Sequence, residues 1–277
     1  MKRLLFILFL ATSFFGGQIS AHGEGKDFLM QGDSVALIPA GVIRVPDYAF
    51  ADQKNLKTVV FESPSKCSEI GNYAFLGCGQ LQTIVLPESV RSLGEGCFRE
   101  CTALEEISLP SKIAIIPASC FYGCSGLRKV KLPDKVNDIK RFAFIYCKNL
   151  TDINLPEGLT HIGSNAFSRC ESLAEVSIPE NVIELESYAF SDCFSLKEAK
   201  LPSNSNMLGE LIFSGCVRLE KLTELSATPP TFDCKSFIFE LTDTEAYKRC
   251  RLIVALGKDN LYREAHGWNL FETIIAE

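Results

Sequence analysis

Hydrophobic positions recur with a period of 23 residues through most of the chain. In a typical unit, apolar and polar residues first alternate, as in Ile107-Ser108-Leu109 or Ile153-Asn154-Leu155, and a proline follows. An alternation of period two predicts a strand with one buried face, and a proline, which has no backbone N–H, predicts the end of its ladder. The prolines at the strand ends are Pro87, Pro110, Pro133, Pro156, Pro179 and Pro202.

Three further columns of identical residues keep the same register. A phenylalanine is followed after three residues by a cysteine, and after three more by a leucine. The phenylalanines are Phe75, Phe98, Phe121, Phe144, Phe167, Phe190 and Phe213, with Phe50 placed 25 residues before the first. The cysteines are Cys78, Cys101, Cys124, Cys147, Cys170, Cys193 and Cys216, and the leucines are Leu56, Leu81, Leu104, Leu127, Leu150, Leu173, Leu196 and Leu219. Eight units are visible.

The rest of each unit contributes two more apolar features. A pair three residues apart, such as Leu159 and Ile162, follows the proline and is predicted to point back into the core. The segment containing Ala166, Phe167 and Cys170 is predicted to form about one helical turn as the opposite wall. A 23-residue unit cannot bury these residues alone, so consecutive units are expected to stack into a solenoid with columns of identical residues. Cys67, Cys97 and Cys120 fall on other core positions of this frame.

The repeated motif resembles a known bacterial family. The run Ile162-Gly163-Ser164-Asn165-Ala166-Phe167-Ser168-Arg169-Cys170-Glu171-Ser172-Leu173, followed by Val176, Ile178 and Pro179, is similar to the BspA-type leucine-rich repeat of secreted and surface proteins. The tail, with Pro229-Pro230, Leu252-Ile253-Val254 and Gly267-Trp268, resembles that family's C-terminal cap. The resemblance implies an α/β leucine-rich repeat solenoid, a right-handed stack with a parallel sheet on its concave face, here of about eight repeats.

The N-terminus predicts secretion. Lys2 and Arg3 precede an apolar run over residues 4–15, which is too short to span a bilayer, and Ala21 is a plausible residue before a cleavage site. We therefore predict a signal peptide over 1–21, an N-terminal cap over 22–45, the solenoid over 46–225 and a C-terminal cap over 226–277. No cysteine follows the apolar run closely enough for lipidation, and no later apolar stretch is long enough to cross a membrane. The expected location is secreted, cell-surface or periplasmic, with an uncleaved anchor as the alternative.

Composition and charge narrow the function classes. At 47% hydrophobic residues, the chain is too apolar to be disordered. Its net charge of −6, which becomes −8 if Lys2 and Arg3 leave with the signal peptide, disfavours nucleic acid as a partner, because such binding rests on clustered positive charge.

The twelve cysteines raise the questions of metal binding and disulfides. There is no C-x-x-C pair and no group of histidines near one another in sequence, so neither a metal site nor a cofactor is predicted. Cysteines stacked in one column would have Cβ atoms about 4.8 Å apart, wider than a disulfide prefers, so the repeat cysteines are predicted to be buried free thiols. Cys234 and Cys250 lie outside the column, and both a bond between them and two free thiols remain open.

Catalysis is not predicted, because a nucleophile needs a base within hydrogen-bond reach. The histidines are His22, beside the predicted cleavage site, His161, expected to be a surface turn residue, and His266, in the cap. The regular cysteines are assigned to the interior. We therefore do not expect an enzyme.

The predicted binding surface consists of strand residues that face away from the core. They are Thr58, Val60, Thr83, Val85, Glu106, Ser108, Lys129, Lys131, Asp152, Asn154, Glu175, Ser177, Glu198, Lys200, Lys221 and Thr223. Four are basic, four are acidic and none is Trp or Tyr, which weakens a glycan platform. The expected function is a monomeric protein-binding or adhesion module, with a glycan-binding accessory protein as the alternative and a merely solvated face as the simplest interpretation.

Overall fold

The computed structural model describes residues 28–204, 207–232, 238–240 and 243–277. The predicted signal peptide and Cys234 lie outside these residues. In chain order the elements are β1 (Leu29–Gln31), β2 (Val35–Ile38), β3 (Arg44–Val45), β4 (Thr58–Phe61), β5 (Glu69–Ile70), β6 (Thr83–Ile84), β7 (Ser92–Leu93), β8 (Glu106–Ser108), β9 (Ile115–Ile116), β10 (Lys129–Lys131), β11 (Asp138–Ile139), β12 (Asp152–Ile153), β13 (His161–Ile162), β14 (Glu175–Ser177), β15 (Glu184–Leu185), β16 (Glu198–Lys200), β17 (Met207–Leu208), β18 (Lys221–Thr223), β19 (Thr231–Phe232), α1 (Thr244–Arg249), β20 (Arg251–Val254), α2 (Asp259–Glu264) and β21 (Thr273–Ala276).

Consecutive units stack as parallel coils, which confirms the leucine-rich repeat solenoid. The even-numbered strands from β2 to β20, followed by β21, form the first sheet, whose ladder is interrupted between β6 and β8 and between β12 and β14. The odd-numbered strands from β3 to β19 form the second sheet, interrupted between β7 and β9. Strand β1 pairs antiparallel with β2. There are about ten coils, slightly more than the eight predicted, because the first sheet extends at both ends beyond the units with the phenylalanine and cysteine signature.

The second sheet was not predicted as strands. Each of its strands is only two residues long, and from β3 to β15 the first residue faces outward and the second is buried, as in His161 and Ile162. A two-residue strand is too short to show an alternation in sequence, so only its buried member left a signal. The spacing of Leu159 and Ile162 nevertheless identified both as core residues, and both are fully buried.

The opposite wall, formed by residues 163–173 and their equivalents and called the turn wall here, contains no helix. The backbone N–H groups of Asn165, Phe167 and Arg169 donate to carbonyls of the next coil at 3.0, 2.8 and 2.8 Å, whereas Ala166 and Ser168 donate to carbonyls three residues earlier. Left-handed φ angles of 55° at Asn165 and 60° at Arg169 produce this alternation. The predicted helical turn is wrong, although the residues predicted to face the core do so.

Two adjoining columns of the core consist of phenylalanines and cysteines. Rings of successive phenylalanines from Phe50 to Phe213 stack with centroids 5.1 to 6.0 Å apart. Each column thiol donates to the carbonyl of the phenylalanine one coil earlier; Cys124 Sγ, for example, lies 3.0 Å from the carbonyl oxygen of Phe98. The thiol is therefore a hydrogen-bond donor as well as a small apolar group, which alanine could not be.

Glycine at the start of the turn wall lets neighbouring coils approach closely. A Cβ atom on Gly163 would lie 2.5 Å from the backbone nitrogen of Arg141 in the preceding coil. Backbone atoms cannot move aside as the end of a flexible side chain can, so this position favours glycine for contact reasons alone.

The first sheet continues across both predicted cap boundaries. Strand β2 lies before residue 46, and β20 and β21 lie after residue 225. At the C-terminal end the fully buried Trp268 donates its indole N–H to the carbonyl of Pro230 at 2.8 Å and packs edge-on against Tyr262. The division into caps and solenoid remains a prediction. Among the described residues, no helix has the length and apolar character needed to traverse a bilayer.

Candidate functional site

The sixteen predicted surface residues, called the strand face here, all lie on or directly beside the first sheet, and none is buried. Parallel pairing aligns them in two rows. Lys129 is in register with Glu106 on one side and Asp152 on the other, and Lys131 is in register with Ser108. The intervening residues, such as Val130, are buried, except for Ile153, which is partly buried. The sequence pattern thus correctly distinguished the outward from the inward positions.

The structure brings half of the strand face together in one depression of about 630 Å³. Eight predicted residues line it: Asp152, Asn154, Glu175, Ser177, Glu198, Lys200, Lys221 and Thr223. Parts of Ile153, Val176 and Ala199 lie between them. The other eight, from Thr58 to Lys131, are outside the lining and continue the same surface toward the N-terminus.

Charges on the strand face are only partly paired. Lys129 lies 3.5 Å from Asp152, and Lys221 lies 3.6 Å from Glu198. Such exposed pairs contribute about 0–1 kcal/mol each, so a partner could replace them at low cost. Glu175 is in register with Glu198, a carboxylate of like charge, and no ion pair involving Glu175 is found among the described residues. The depression therefore contains a carboxylate free to bind a cationic or hydrogen-bond-donating group.

A second polar group lies on the outer face of the second sheet. Asp138 Oδ1 lies 2.8 Å from His161 Nδ1, and Glu186 Oε1 lies 2.6 Å from His161 Nε2. Partial burial lowers the pKa of His161, but hydrogen bonds to Glu186 and Asp138 outweigh it and the net shift is upward. Burial raises the pKa of Glu186, yet hydrogen bonds from Ser164 and His161 bring it below its usual value.

The expectation that His161 is a surface turn residue is wrong, because it lies in β13 with its side chain largely covered. Its side chain is only 17% exposed and contacts carboxylates from both neighbouring coils. These residues are far apart in sequence, and a search for a local group of histidines could not find them. The available signal was the repeat itself, because Asp138, His161 and Glu184 occupy the same position in three consecutive units.

A third feature missed from the sequence is a buried carboxyl at the end of the solenoid. Glu224 is fully buried, and it occupies the column position that holds Leu155, Ile178 and Leu201 in earlier units. Its Oε1 accepts hydrogen bonds from the backbone N–H and the hydroxyl of Ser226, while Oε2 has no hydrogen-bond partner. Burial raises its pKa to about 7.

The cysteines offer no exposed nucleophile among the described residues. The eleven that the structure describes are all buried and free. Burial raises the pKa of Cys124 to about 12, which suppresses the reactive thiolate. Cys250 is one of these buried thiols, whereas its candidate partner Cys234 lies outside the described residues.

Comparison with known proteins agrees with this architecture. The model of the BspA type leucine rich repeat region matches six copies, over residues 34–148 and 114–237. No curated protein matches the sequence.

Several solved structures are similar to this chain. The leucine rich repeat protein TpLRR of T. pallidum is 27% identical, with a TM-score of 0.50, over 74% of this chain and 81% of that protein. A leucine-rich repeat protein of Bacteroides ovatus is 22% identical, with a TM-score of 0.55, over 87% and 72%. The pneumococcal vaccine antigen PcpA is 21% identical, with a TM-score of 0.55, over 88% and 68%. Since the family model covers most of the solenoid, this chain belongs to the BspA-type leucine-rich repeat family.

Proposed function

We propose that this protein is a secreted bacterial binding module that holds a protein partner on its strand face, centred on the depression between β12 and β18. The observation that carries the proposal is that eight outward residues from four consecutive coils line one depression of about 630 Å³. Its lining is mainly polar and charged, and Ile153, Val176 and Ala199 contribute apolar surface between the polar groups. Repeat solenoids use such extended surfaces to bind partners.

Membership of the family supports a binding role, and the N-terminal sequence supports export. Lys2 and Arg3, the apolar run over 4–15 and Ala21 have the order of a signal peptide. The partner is proposed to present basic or hydrogen-bonding groups to Glu175, which has a carboxylate of like charge in register. It is proposed to present acidic groups to Lys200, where they would replace an exposed ion pair of 2.9 Å with Glu180.

A charge-swap variant tests the site without altering the net charge of the protein. Glu175→Lys combined with Lys200→Glu reverses two groups of the depression. The matched control is Lys148→Glu combined with Glu171→Lys, which reverses an exposed ion pair of 3.0 Å that does not line the depression. Both variants and the wild type are immobilised, and proteins captured from bacterial and host extracts are quantified by mass spectrometry.

We expect at least one partner whose capture falls tenfold or more with the depression swap and stays at the wild-type level with the control. Equal capture by all three proteins would refute the strand face as the site. A glycan array is run in parallel with the same three proteins. Saccharide binding lost only in the depression swap would replace the proposed protein partner with a glycan.

A further inference from the structure

We propose that His161, Glu184 and Glu186 form a binding site for a divalent transition-metal ion of the zinc class on the outer face of the second sheet. One nitrogen of His161 and one oxygen from each glutamate lie within 4.8 Å of one another. The proposal concerns a surface separate from the depression, and it does not depend on the proposed partner-binding function.

The repeat brings these donors together. Asp138, His161 and Glu184 are in register on the adjacent parallel strands β11, β13 and β15. Neighbouring strands are about 4.8 Å apart, so outward residues at the same position in successive coils lie side by side. Glu186, two residues after Glu184, approaches the same imidazole from beyond the end of β15.

Two hydrogen-bonding partners orient the proposed ligands from outside. Asp138 lies against Nδ1 of His161, which leaves Nε2 directed at both glutamates. A carboxylate on the remote nitrogen of a metal-binding histidine is the usual orienting contact in proteins. Ser164 donates its backbone N–H and hydroxyl to Glu186 Oε2 at 3.0 and 2.5 Å, which leaves Oε1 facing His161.

The charges around the cluster also favour a cation. With a neutral imidazole, Glu184 and Glu186 contribute two negative charges, matching a divalent ion. Lys140 forms an ion pair of 2.6 Å with Asp138, and among the residues that the structure describes no lysine or arginine forms an ion pair with Glu184 or Glu186. A metal ion would take the place of the proton that Nε2 shares with Glu186.

Distances between donors fit a small ion after a modest side-chain shift. Tetrahedral ligands at zinc distances are roughly 3.3 Å from one another. His161 Nε2 and Glu184 Oε2 are 3.7 Å apart, while Nε2 and Glu186 Oε1, now hydrogen-bonded, are 2.6 Å apart and would separate slightly. The imidazole nitrogen favours zinc, nickel or copper over calcium and magnesium, which prefer all-oxygen sites. Three protein ligands leave a position for water or for a partner's side chain.

Isothermal titration of the full chain with Zn²⁺, after removal of metal with a chelator, tests the site. We expect one equivalent to bind the wild type, at least 100-fold weaker binding to His161→Gln and Glu184→Gln, and 10- to 100-fold weaker binding to Asp138→Asn. The matched control is Glu69→Gln, which removes a carboxylate from the same position of another coil, where it pairs with Arg44. Glu69→Gln is expected to bind like the wild type.

Cysteine binding is distinguished by repeating the titration with Co²⁺, whose spectrum shows thiolate charge transfer when sulfur is a ligand. A thiolate band in the wild type, or unchanged affinity in both His161→Gln and Glu184→Gln, would overturn the proposal. Absence of saturable binding by the wild type would do the same. Should His161→Gln fold poorly, Glu184→Gln decides the matter, because the Glu184 side chain is 67% exposed and its removal leaves the core intact.

Discussion

Glu224→Gln should increase the stability of the protein at neutral and alkaline pH. The wild-type carboxyl is fully buried, and burial raises its pKa to about 7 from a usual value of 4.5. Glutamine has the same shape, and its amide oxygen can still accept the hydrogen bonds of Ser226. The substitution therefore removes the titration and keeps the local contacts.

The magnitude follows from proton linkage. Between pH 4.5 and 7 the unfolded chain loses the Glu224 proton while the folded chain retains it, so the free energy of unfolding falls as pH rises and levels off above 7. A shift of about 2.5 pKa units corresponds to about 3 kcal/mol at full deprotonation. The variant has no such loss. Its free energy of unfolding, relative to that of the wild type, should therefore rise by about 2–3 kcal/mol between pH 5 and pH 8.

Urea unfolding of both proteins at pH 5, 6, 7 and 8 measures this difference, in which the pH dependence of all other groups cancels. The control is Glu220→Gln, which removes an exposed carboxyl four residues earlier. The difference in free energy of unfolding between this control and the wild type should be the same at all four pH values. If the free energies of unfolding of Glu224→Gln and the wild type differed by the same amount at every pH, the argument that the buried carboxyl titrates near pH 7 would be refuted.

Three further predictions test other parts of the structure. Gly163→Ala should lower stability by about 2 kcal/mol or more, measured by urea unfolding, because its Cβ would lie 2.5 Å from backbone; a loss under 0.5 kcal/mol would contradict the close contact. Lys129→Glu with Lys131→Glu should weaken partner capture more than Lys112→Glu with Lys148→Glu, and equal losses would exclude the N-terminal part of the strand face. Iodoacetamide should label few thiols in the folded chain and at least eleven after unfolding without reductant, since the described cysteines are free and buried; fewer than about eight would disprove the free-thiol column.

The repeat could be predicted from the sequence because every core position recurs. One pattern, repeated in many units, predicts the phenylalanine and cysteine columns and the ends of the first-sheet strands. It also predicts the outward direction of the strand face. A single unit such as the one containing Phe167 would have been ambiguous between helix and strand. Repetition also required stacking, since one unit leaves its apolar side uncovered.

What could not be predicted depends on backbone geometry and on contacts between units. The turn wall has the side-chain spacing of a helical turn, and only the left-handed φ angles at Asn165 and Arg169 direct its amides to the next coil. His161 gained its carboxylate neighbours from other units, so its local sequence gave no sign of them. Glu224 was visible as a break in an aliphatic column, but its burial follows from the C-terminal residues packed beyond it, where Tyr262 donates to the carbonyl of Ser226.

The hydrogen bond from each column thiol to the phenylalanine carbonyl one coil earlier makes the junctions between coils chemically interchangeable. A whole unit could therefore be duplicated or deleted without creating an unfamiliar junction, and each such event would change the length of the strand face by about 4.8 Å. The solenoid can thus gain or lose whole coils while the contacts between neighbouring coils stay the same. A residue such as Glu224, which replaces an aliphatic residue of the column, would mark its coil as different from its neighbours.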